Sequence, residues 1–227
     1  MAVSDRVALQ NRVTPAGDII ATPARGEMMG NRGGALHDGA RTLGVSRWRT
    51  KAWITCRLEF KGRHRQVMTP RRYTELFFLD EATALAAGHR PCGECRRADF
   101  NRFVACWLRA NRPDHSGPRP PIAIVDRQLH QERVRRDRAK VTIAAPLDEV
   151  ADGAFVRLAN HPGICWLVRG AALHAWAPEG YHQAIDRPRA VTAELLTPRS
   201  SARALAAGYR PSVHPSIAAR AGSSSSK

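Results

Sequence analysis

Two cysteines three positions apart, Cys92 and Cys95, constrain the fold of this 227-residue chain more than any other feature. They follow an Arg-Pro turn and precede a segment of helical periodicity, so both thiols fall at the start of a helix. Two thiols on one turn can bind a single metal ion. Thiol redox proteins also use a Cys-x-x-Cys pair, but they place it at a helix that follows a strand. Because this pair follows a helix and a turn instead, the pattern favours zinc.

A structural zinc ion takes four ligands, so the others must come from elsewhere in the chain. Residues 52–60 alternate in polarity and predict a strand, followed by a turn at 61–63 and a return strand at 66–68. Cys56 lies in the first of these strands and is the expected third ligand. A β-hairpin followed by a cysteine pair that opens a helix is the layout of a treble-clef zinc module.

The fourth ligand has two histidine candidates. His37, in the glycine-rich segment 26–44, ranks first, and His64, in the predicted hairpin turn, ranks second. Cys106 lies on the same predicted helix as Cys95, ~16 Å further along at 1.5 Å per residue, so it fits a core position better. His37 has a second interpretation, because a histidine that points into an open cleft can act as a catalytic base.

The order of periodic segments predicts an α+β protein with a treble-clef-like zinc module, containing a β-hairpin and helices, and a small C-terminal antiparallel β module. We expect a disordered lead-in at 1–16, a zinc-binding α/β module at 17–113, a linker and basic helix at 114–149, a small β-rich module at 150–216 and a disordered tail at 217–227. Strands are predicted at 18–23, 75–79, 154–158, 164–168, 172–176 and 191–196, and helices at 80–87, 98–110, 122–138 and 200–207.

A short sequence occurs twice, as Ala-Leu-Ala-Ala-Gly-x-Arg-Pro at 84–91 and at 204–211. Each copy places a glycine after an alanine-rich segment and a proline three residues later, which is typical of the end of a helix. We interpret the repeat as one helix-ending device used twice. The second copy has Ser212 in the place of Cys92, so it cannot bind the same metal.

The chain is strongly basic, with 36 Lys+Arg against 20 Asp+Glu and a net charge of +16. Lysine occurs only four times, so nearly all of the positive charge is arginine, which makes bidentate contacts to phosphate. The charge therefore predicts a nucleic-acid partner. The expected phosphate contacts flank the hairpin, follow the cysteine pair and end the helix at 122–138: Arg63, Arg65, Arg71, Arg72, Arg96, Arg97, Arg133, Arg135, Arg136 and Arg138.

The compartment follows from what the sequence lacks. Residues 1–6 contain no apolar run, and no apolar stretch approaches the ~18 residues that span a bilayer. We therefore expect a cytoplasmic protein without a membrane partner, where paired cysteines hold metal more often than they form disulfides.

The segment 75–97 resembles the second half of the zinc-binding (Ada-type) domain of the bacterial adaptive-response DNA alkylation repair protein. In that family a strand and an Ala-rich helix lead to a Gly-aromatic-Arg-Pro-Cys-x-x-Cys-Arg knuckle, and this chain reads Gly88-His89-Arg90-Pro91-Cys92-Gly93-Glu94-Cys95-Arg96. The resemblance implies that Cys92 and Cys95 bind zinc. In the family an upstream cysteine pair supplies two more ligands, and one cysteine of that pair accepts methyl groups from DNA phosphotriesters. Here Cys56 has no such partner, so zinc binding carries over better than methyl transfer.

Together these features predict a zinc-stabilised nucleic-acid-binding protein, with DNA the expected partner, in repair or genome defence. The alternative is a metal-dependent enzyme acting on nucleic acid, a nuclease or repair hydrolase, with His37 or His130 in its site. His130 shares a helix face with Asp126 and is near Glu132, a set that otherwise forms a solvated face with an internal ion pair. A protein-interaction scaffold is the weaker alternative.

Overall fold

The computed structural model describes residues 8–62 and 66–218. Within these ranges the chain forms two six-stranded β-sheets and four α-helices. The helices are α1 (Glu81–Ala86), α2 (Arg97–Asn111), α3 (Ile122–Arg133) and α4 (Arg199–Ala206). Two 3₁₀ turns follow β7 and α4, at Leu147–Glu149 and Pro215–Ile217. None of the helices in the described ranges has the length and apolarity needed to cross a membrane.

The first sheet is mixed, with strand order β2-β1-β5-β3-β4-β6. Its strands are β1 (Gln10–Val13), β2 (Ile19–Ala21), β3 (Met28–Asn31), β4 (Ile54–Arg57), β5 (Leu76–Phe78) and β6 (Arg90–Pro91). The pairs β1–β5 and β4–β6 are parallel, and the others are antiparallel.

The second sheet is antiparallel throughout, with strand order β11-β10-β9-β8-β12-β7. Its strands are β7 (Ile143–Pro146), β8 (Phe155–Leu158), β9 (His161–Arg169), β10 (Ala172–Ala177), β11 (Gly180–Asp186) and β12 (Thr192–Leu195). The α+β class and the C-terminal antiparallel sheet are confirmed.

Helix α1 begins and ends where its sequence predicts. The Asp80 carboxylate accepts a hydrogen bond from the Thr83 backbone N–H at 2.8 Å, which satisfies a free donor of the first turn. Gly88 has a φ of +87°, the left-handed conformation that ends many helices. The device recurs after α4, where Gly208 has a φ of +101°. In both copies the next residue donates its N–H to the carbonyl of an alanine five residues earlier.

One hydrophobic core joins parts of the chain that the sequence assigns to separate modules. Phe103 and Trp107 of α2 pack in the same buried cluster as Val156 and Trp166 of the second sheet. A buried carboxylate also links the two parts, because Asp80 accepts a hydrogen bond from the Tyr181 hydroxyl at 2.6 Å. The predicted segment 114–149 therefore does not separate two independent cores.

The predicted β-hairpin is not formed. Residues 66–68 contain a turn rather than a strand, and β4 pairs with β3 on one side and β6 on the other. The alternation of polarity predicts β4 but not the strands that pair with it, because β3 lies in the glycine-rich segment 26–44, which has the composition of a loop. The α+β class does not depend on the hairpin, whereas the treble-clef layout does and stays a prediction.

Four further features differ from the sequence prediction. Residues 10–13 of the expected lead-in form β1, and α3 ends at Arg133, so residues 135–138 are a turn beyond it. The C-terminal sheet has two extra strands, β7 and β11. Of the expected disordered tail, Ile217 is buried in a 3₁₀ turn, and residues 219–227 lie outside the described ranges.

Candidate metal centre

Three of the predicted metal ligands meet in one cluster. Cys56 lies on β4, Cys92 follows β6 directly, and Cys95 lies in the turn that leads into α2. Their sulfur atoms all lie within 4.8 Å of one another, and no other group of three His, Cys, Asp or Glu side chains in the described ranges does the same. Each cysteine is 8–9% exposed. Cys56 therefore joins the pair as predicted, and the cluster could hold a metal ion.

Backbone pairing explains why distant cysteines meet. Strands β4 and β6 run parallel, with Ile54 opposite Arg90 and Thr55 opposite Pro91. The Cys92 N–H then donates to the Thr55 carbonyl at 2.8 Å, which extends this register by one residue and places Cys92 beside Cys56. A turn closed by the Arg96 N–H and the Cys92 carbonyl, at 3.2 Å, returns Cys95 to the same place.

The cluster favours a negative charge on Cys92. Hydrogen bonds from the thiols of Cys56 and Cys95, and from the backbone N–H groups of Glu94 and Cys95, lower the pKa of Cys92. The Glu94 nitrogen lies 3.4 Å from the Cys92 sulfur. The same contact with Cys92 raises the pKa of the Cys56 thiol. Three thiolates this close repel each other strongly, so a bound cation is the natural way for all of them to be deprotonated.

The three sulfur atoms line one side of a cleft of about 980 Å³. Alternate residues of the first sheet form its floor, including Met29 on β3, Ile54 on β4 and Phe77 on β5. Its polar lining includes Asn31, Arg57, Glu59, Thr69, Arg72, Tyr73, Glu75 and Glu94. These carboxylates are not predicted from the sequence, where only Glu94, inside the cysteine pair, lies next to a recognisable motif.

The structure does not place His37 with the thiols. Its Nδ1 lies 2.6 Å from the Thr74 hydroxyl and its Nε2 lies 3.2 Å from the Thr69 carbonyl oxygen. Both ring nitrogens are therefore engaged in hydrogen bonds that fasten the glycine-rich segment to residues 69–74. His37 is 9% exposed, so it does not have the open position of a catalytic base either. His64, the second candidate, lies outside the described ranges.

The three residues of the alternative enzyme site face different partners. Asp126 forms a bidentate ion pair with Arg90, at 2.7 and 2.8 Å. Glu132 accepts hydrogen bonds from the backbone and hydroxyl of Ser200, at 2.8 and 2.6 Å. The pKa of His130 is lowered to about 4, chiefly by burial and to a smaller extent by the charge of Arg133. These residues do not converge on a common point, so they do not form the predicted catalytic set.

Two of the ten predicted phosphate contacts are buried. Arg96 pairs with Glu81 at 2.8 Å and with Asp99 at 2.9 Å, so it stabilises the start of α2. Arg133 is 2% exposed and donates to the Gly88 carbonyl at 2.7 Å. Six are exposed: Arg71, Arg72, Arg97, Arg135, Arg136 and Arg138. Of these, Arg135 pairs with Asp137 and Arg138 donates to the Val45 carbonyl. The others, Arg63 and Arg65, lie outside the described ranges.

The remaining two cysteines are separate from the cluster. Cys106 is half-buried on α2, with its sulfur 3.6 Å from an Arg109 nitrogen, and Cys165 is buried on β9. Comparison with known proteins adds no further guide to the site, because the chain matches no protein-family model, no curated protein and no solved structure. The resemblance of residues 75–97 to the Ada-type zinc domain remains a prediction that rests on that segment alone.

Proposed function

We propose that this chain is a cytoplasmic zinc protein that binds nucleic acid, with DNA the expected partner and repair or genome defence the expected setting. The observation that carries the metal half of the proposal is the cluster of three buried cysteines, Cys56 from one segment and the pair Cys92 and Cys95 from another. Each deprotonation in this cluster disfavours the next, so all three thiols can act as thiolate ligands only when a bound cation offsets their charge.

Zinc is the metal that this donor set suits best. A tetrahedral ion with Zn–S bonds of ~2.3 Å separates its sulfur ligands by ~3.8 Å, which fits sulfur atoms held within 4.8 Å. Thiolate ligands select soft or borderline ions over Mg²⁺ and Ca²⁺, which prefer oxygen. The resemblance to the Ada-type knuckle also supports zinc.

The nucleic-acid half of the proposal is supported by charge and by its placement. Arginines dominate the net charge of +16, and two of them, Arg57 and Arg72, line the cleft beside the thiols. Arg135 and Arg136 are exposed on the turn after α3. Exposed arginines bind the phosphate backbone of any sequence and release counterions when they do so.

A second candidate function is metal-dependent chemistry on nucleic acid. Three thiolates leave one position of a tetrahedral ion, and the adjoining cleft of about 980 Å³ gives a substrate access to it. Bound zinc would supply an activated water or a polarised substrate oxygen. From the protein, the cleft-lining carboxylates Glu59 and Glu94 are the groups that could accept or deliver a proton there.

Metal analysis of cysteine variants tests the metal half. The purified chain should contain about one zinc ion, and Cys56→Ser, Cys92→Ser or Cys95→Ser should lose it, because each removes one ligand. Cys106→Ser is the matched control, since it removes a thiol from α2 outside the cluster. Full zinc content and an unchanged Tm in Cys92→Ser would show that the cluster is not a zinc site.

Salt-dependent DNA binding tests the other half. Replacement of Arg135 and Arg136 by alanine should weaken binding to all sequences equally and reduce the slope of log K against log salt by about 0.9 per lost phosphate contact. Replacement of Arg199 and Arg203, which are exposed on α4, removes the same charge and serves as the control. Equal effects of the two double variants would indicate a nonspecific field rather than a contact surface. If the chain cleaved supercoiled plasmid, and a chelator abolished that cleavage, the result would favour the enzyme.

A further inference from the structure

A second pocket, of about 430 Å³, lies on the face of the first sheet opposite the metal cleft. Residues adjacent along the chain divide between the two sites, because Ile54 and Cys56 line the metal cleft while Trp53 lines the second pocket. Neighbouring strand residues point to opposite faces of a sheet. We name this second cavity the cationic pocket, because five of the residues that line it are positively charged: Arg32, Arg47, Arg133, Arg138 and Lys140. Trp48 and Trp53 also line it.

The centre of the cationic pocket is a tryptophan between two guanidinium groups. The Arg32 guanidinium lies 4.0 Å from the centre of the Trp53 ring, and the Arg133 guanidinium lies 3.8 Å from it. Both arginines are 2% exposed. Their hydrogen bonds run to neutral groups, such as the Gly17 carbonyl from Arg32, at 2.9 Å, and the Lys51 carbonyl from Arg133, at 2.8 Å.

The positive charge in this pocket is only partly balanced by the part of the chain that the structure describes, where Asp18 favours the charged form of Arg32 and Asp126 that of Arg133. No carboxylate there lies within 4.0 Å of the charged nitrogens of Arg32, Arg133 or Lys140, and Asp18 is the one acidic residue in the lining. The Arg133 Nε atom is buried without a hydrogen-bond partner. Since arginine does not lose its proton in proteins, these buried charges call for an anion.

The electrostatics agree with the geometry. Burial, followed by the charges of Arg32 and Arg133, lowers the pKa of Lys140 to about 7. Burial is also the largest cause that lowers the pKa of Arg32, to about 9. A bound anion would relieve both the desolvation and the mutual repulsion.

The lining of the cationic pocket includes a partly exposed indole, that of Trp48. Trp48 is half-buried, with its ring centre 6.0 Å from that of Trp53 and 5.5 Å from that of His130. An indole beside a group of cations can stack on a base while the cations hold its phosphate. The volume of about 430 Å³ lies within the ~300–1,000 Å³ range of small-ligand pockets.

We propose that the cationic pocket binds the phosphate group of a nucleotide, with Arg32, Arg47 and Lys140 around the phosphate and Trp48 against the base. The phosphate belongs either to a free nucleotide or to the end of a nucleic-acid strand, and the same chemistry recognises both. This inference deepens the proposed nucleic-acid function by assigning it a pocket, and its test is independent of binding along a duplex.

Titration of the full-length chain with a nucleoside 5′-monophosphate, followed by tryptophan fluorescence and by Tm, tests the pocket. The nucleotide should bind and raise Tm, inorganic phosphate should bind more weakly, and the unphosphorylated nucleoside should not bind. Arg47→Gln and Lys140→Met should each weaken nucleotide binding by about tenfold, the usual loss for one charge-assisted contact. Arg127→Gln removes an exposed charge from α3 outside the pocket and should leave binding unchanged.

Three results would overturn the proposal: no nucleotide binding, equal binding of the unphosphorylated nucleoside, or equal affinity in all the variants. Two oligonucleotides of the same sequence, one with a 5′-phosphate and one with a 5′-hydroxyl, identify the source of the phosphate. A site for strand ends prefers the 5′-phosphorylated oligonucleotide, whereas a site for free nucleotides binds only the mononucleotide. Binding of the mononucleotide without binding of duplex DNA would support the pocket and refute the broader function. Duplex binding without nucleotide binding would do the reverse.

Discussion

The five cysteines of this chain fall into two groups that differ in their neighbours. Cys92 and Cys95 could be predicted as ligands because a local spacing on one turn fixes where both thiols lie. Cys56 could be predicted because few other thiols remained. The position of His37 could not be predicted, since its partners, Thr69 and Thr74, lie more than thirty residues away and no local pattern identifies them.

At the same scale, the buried Arg90–Asp126 pair predicts a large effect of a small substitution. Asp126→Asn leaves the Arg90 guanidinium buried without its charge partner, so we expect the free energy of unfolding to fall by about 3–5 kcal/mol. Asp137→Asn removes the same charge from the exposed Arg135–Asp137 pair and should have no measurable effect. Denaturant unfolding of both variants measures the difference, and equal losses would contradict the importance of the buried pair.

Lys140 gives the stability of the chain a dependence on pH. The pKa of this lysine is about 7 in the folded chain and ~10.4 in an unfolded one, so the unfolded state binds more protons between these values. The contribution of Lys140 to stability therefore increases from pH 7 to pH 10. Lys140→Met should be more stable than wild type at pH 7 and should remove part of this slope.

Lys51→Met, at an exposed lysine, is the control for this experiment and should leave the slope unchanged. Free energies of unfolding at several pH values, in buffer without phosphate, decide the matter. A parallel pH profile for wild type and Lys140→Met would contradict the assignment.

At the scale of elements, the repeated helix ending provides a matched pair of glycines. Gly88 and Gly208 both have a positive φ, which costs about 1–2 kcal/mol for an alanine. A Cβ at Gly88 would also lie 2.4 Å from the Arg133 Cδ atom, whereas a Cβ at Gly208 would approach an Arg109 nitrogen only to 3.7 Å. Gly88→Ala should therefore destabilise the chain more than Gly208→Ala does, as measured by Tm, and equal shifts would contradict this packing.

Elements with local signals could be predicted, and elements defined by distant partners could not. The cap at Asp80 and the glycine at Gly88 mark the ends of α1 directly in the sequence. Strand β3 has no β-branched residue and contains Gly30, so it resembles a loop until β4 and β5 pair with it. Strand β11 is similarly hidden by the exposed His182 and Gln183.

At the scale of the molecule, the shared core predicts cooperative unfolding. The Tyr209 hydroxyl and the Ser212 N–H both bond to the Glu81 carboxylate, so the C-terminal segment is fastened to the start of α1. We expect a single calorimetric transition that shifts to lower temperature as a whole when a chelator removes the metal. Separate transitions, with only one sensitive to chelator, would instead support independent modules at 17–113 and 150–216.

Both proposed sites lie within four residues of the chain, since Cys56 on β4 lines the metal cleft and Trp53, directly before β4, lines the cationic pocket. If both proposals hold, the metal and the phosphate ligand each stabilise the same folded chain. Occupancy of one site therefore increases the fraction of folded molecules that can bind the other ligand, by mass action alone. No change of shape is required for this linkage. Scarcity of metal in the cell would then weaken the binding of phosphate in the cationic pocket.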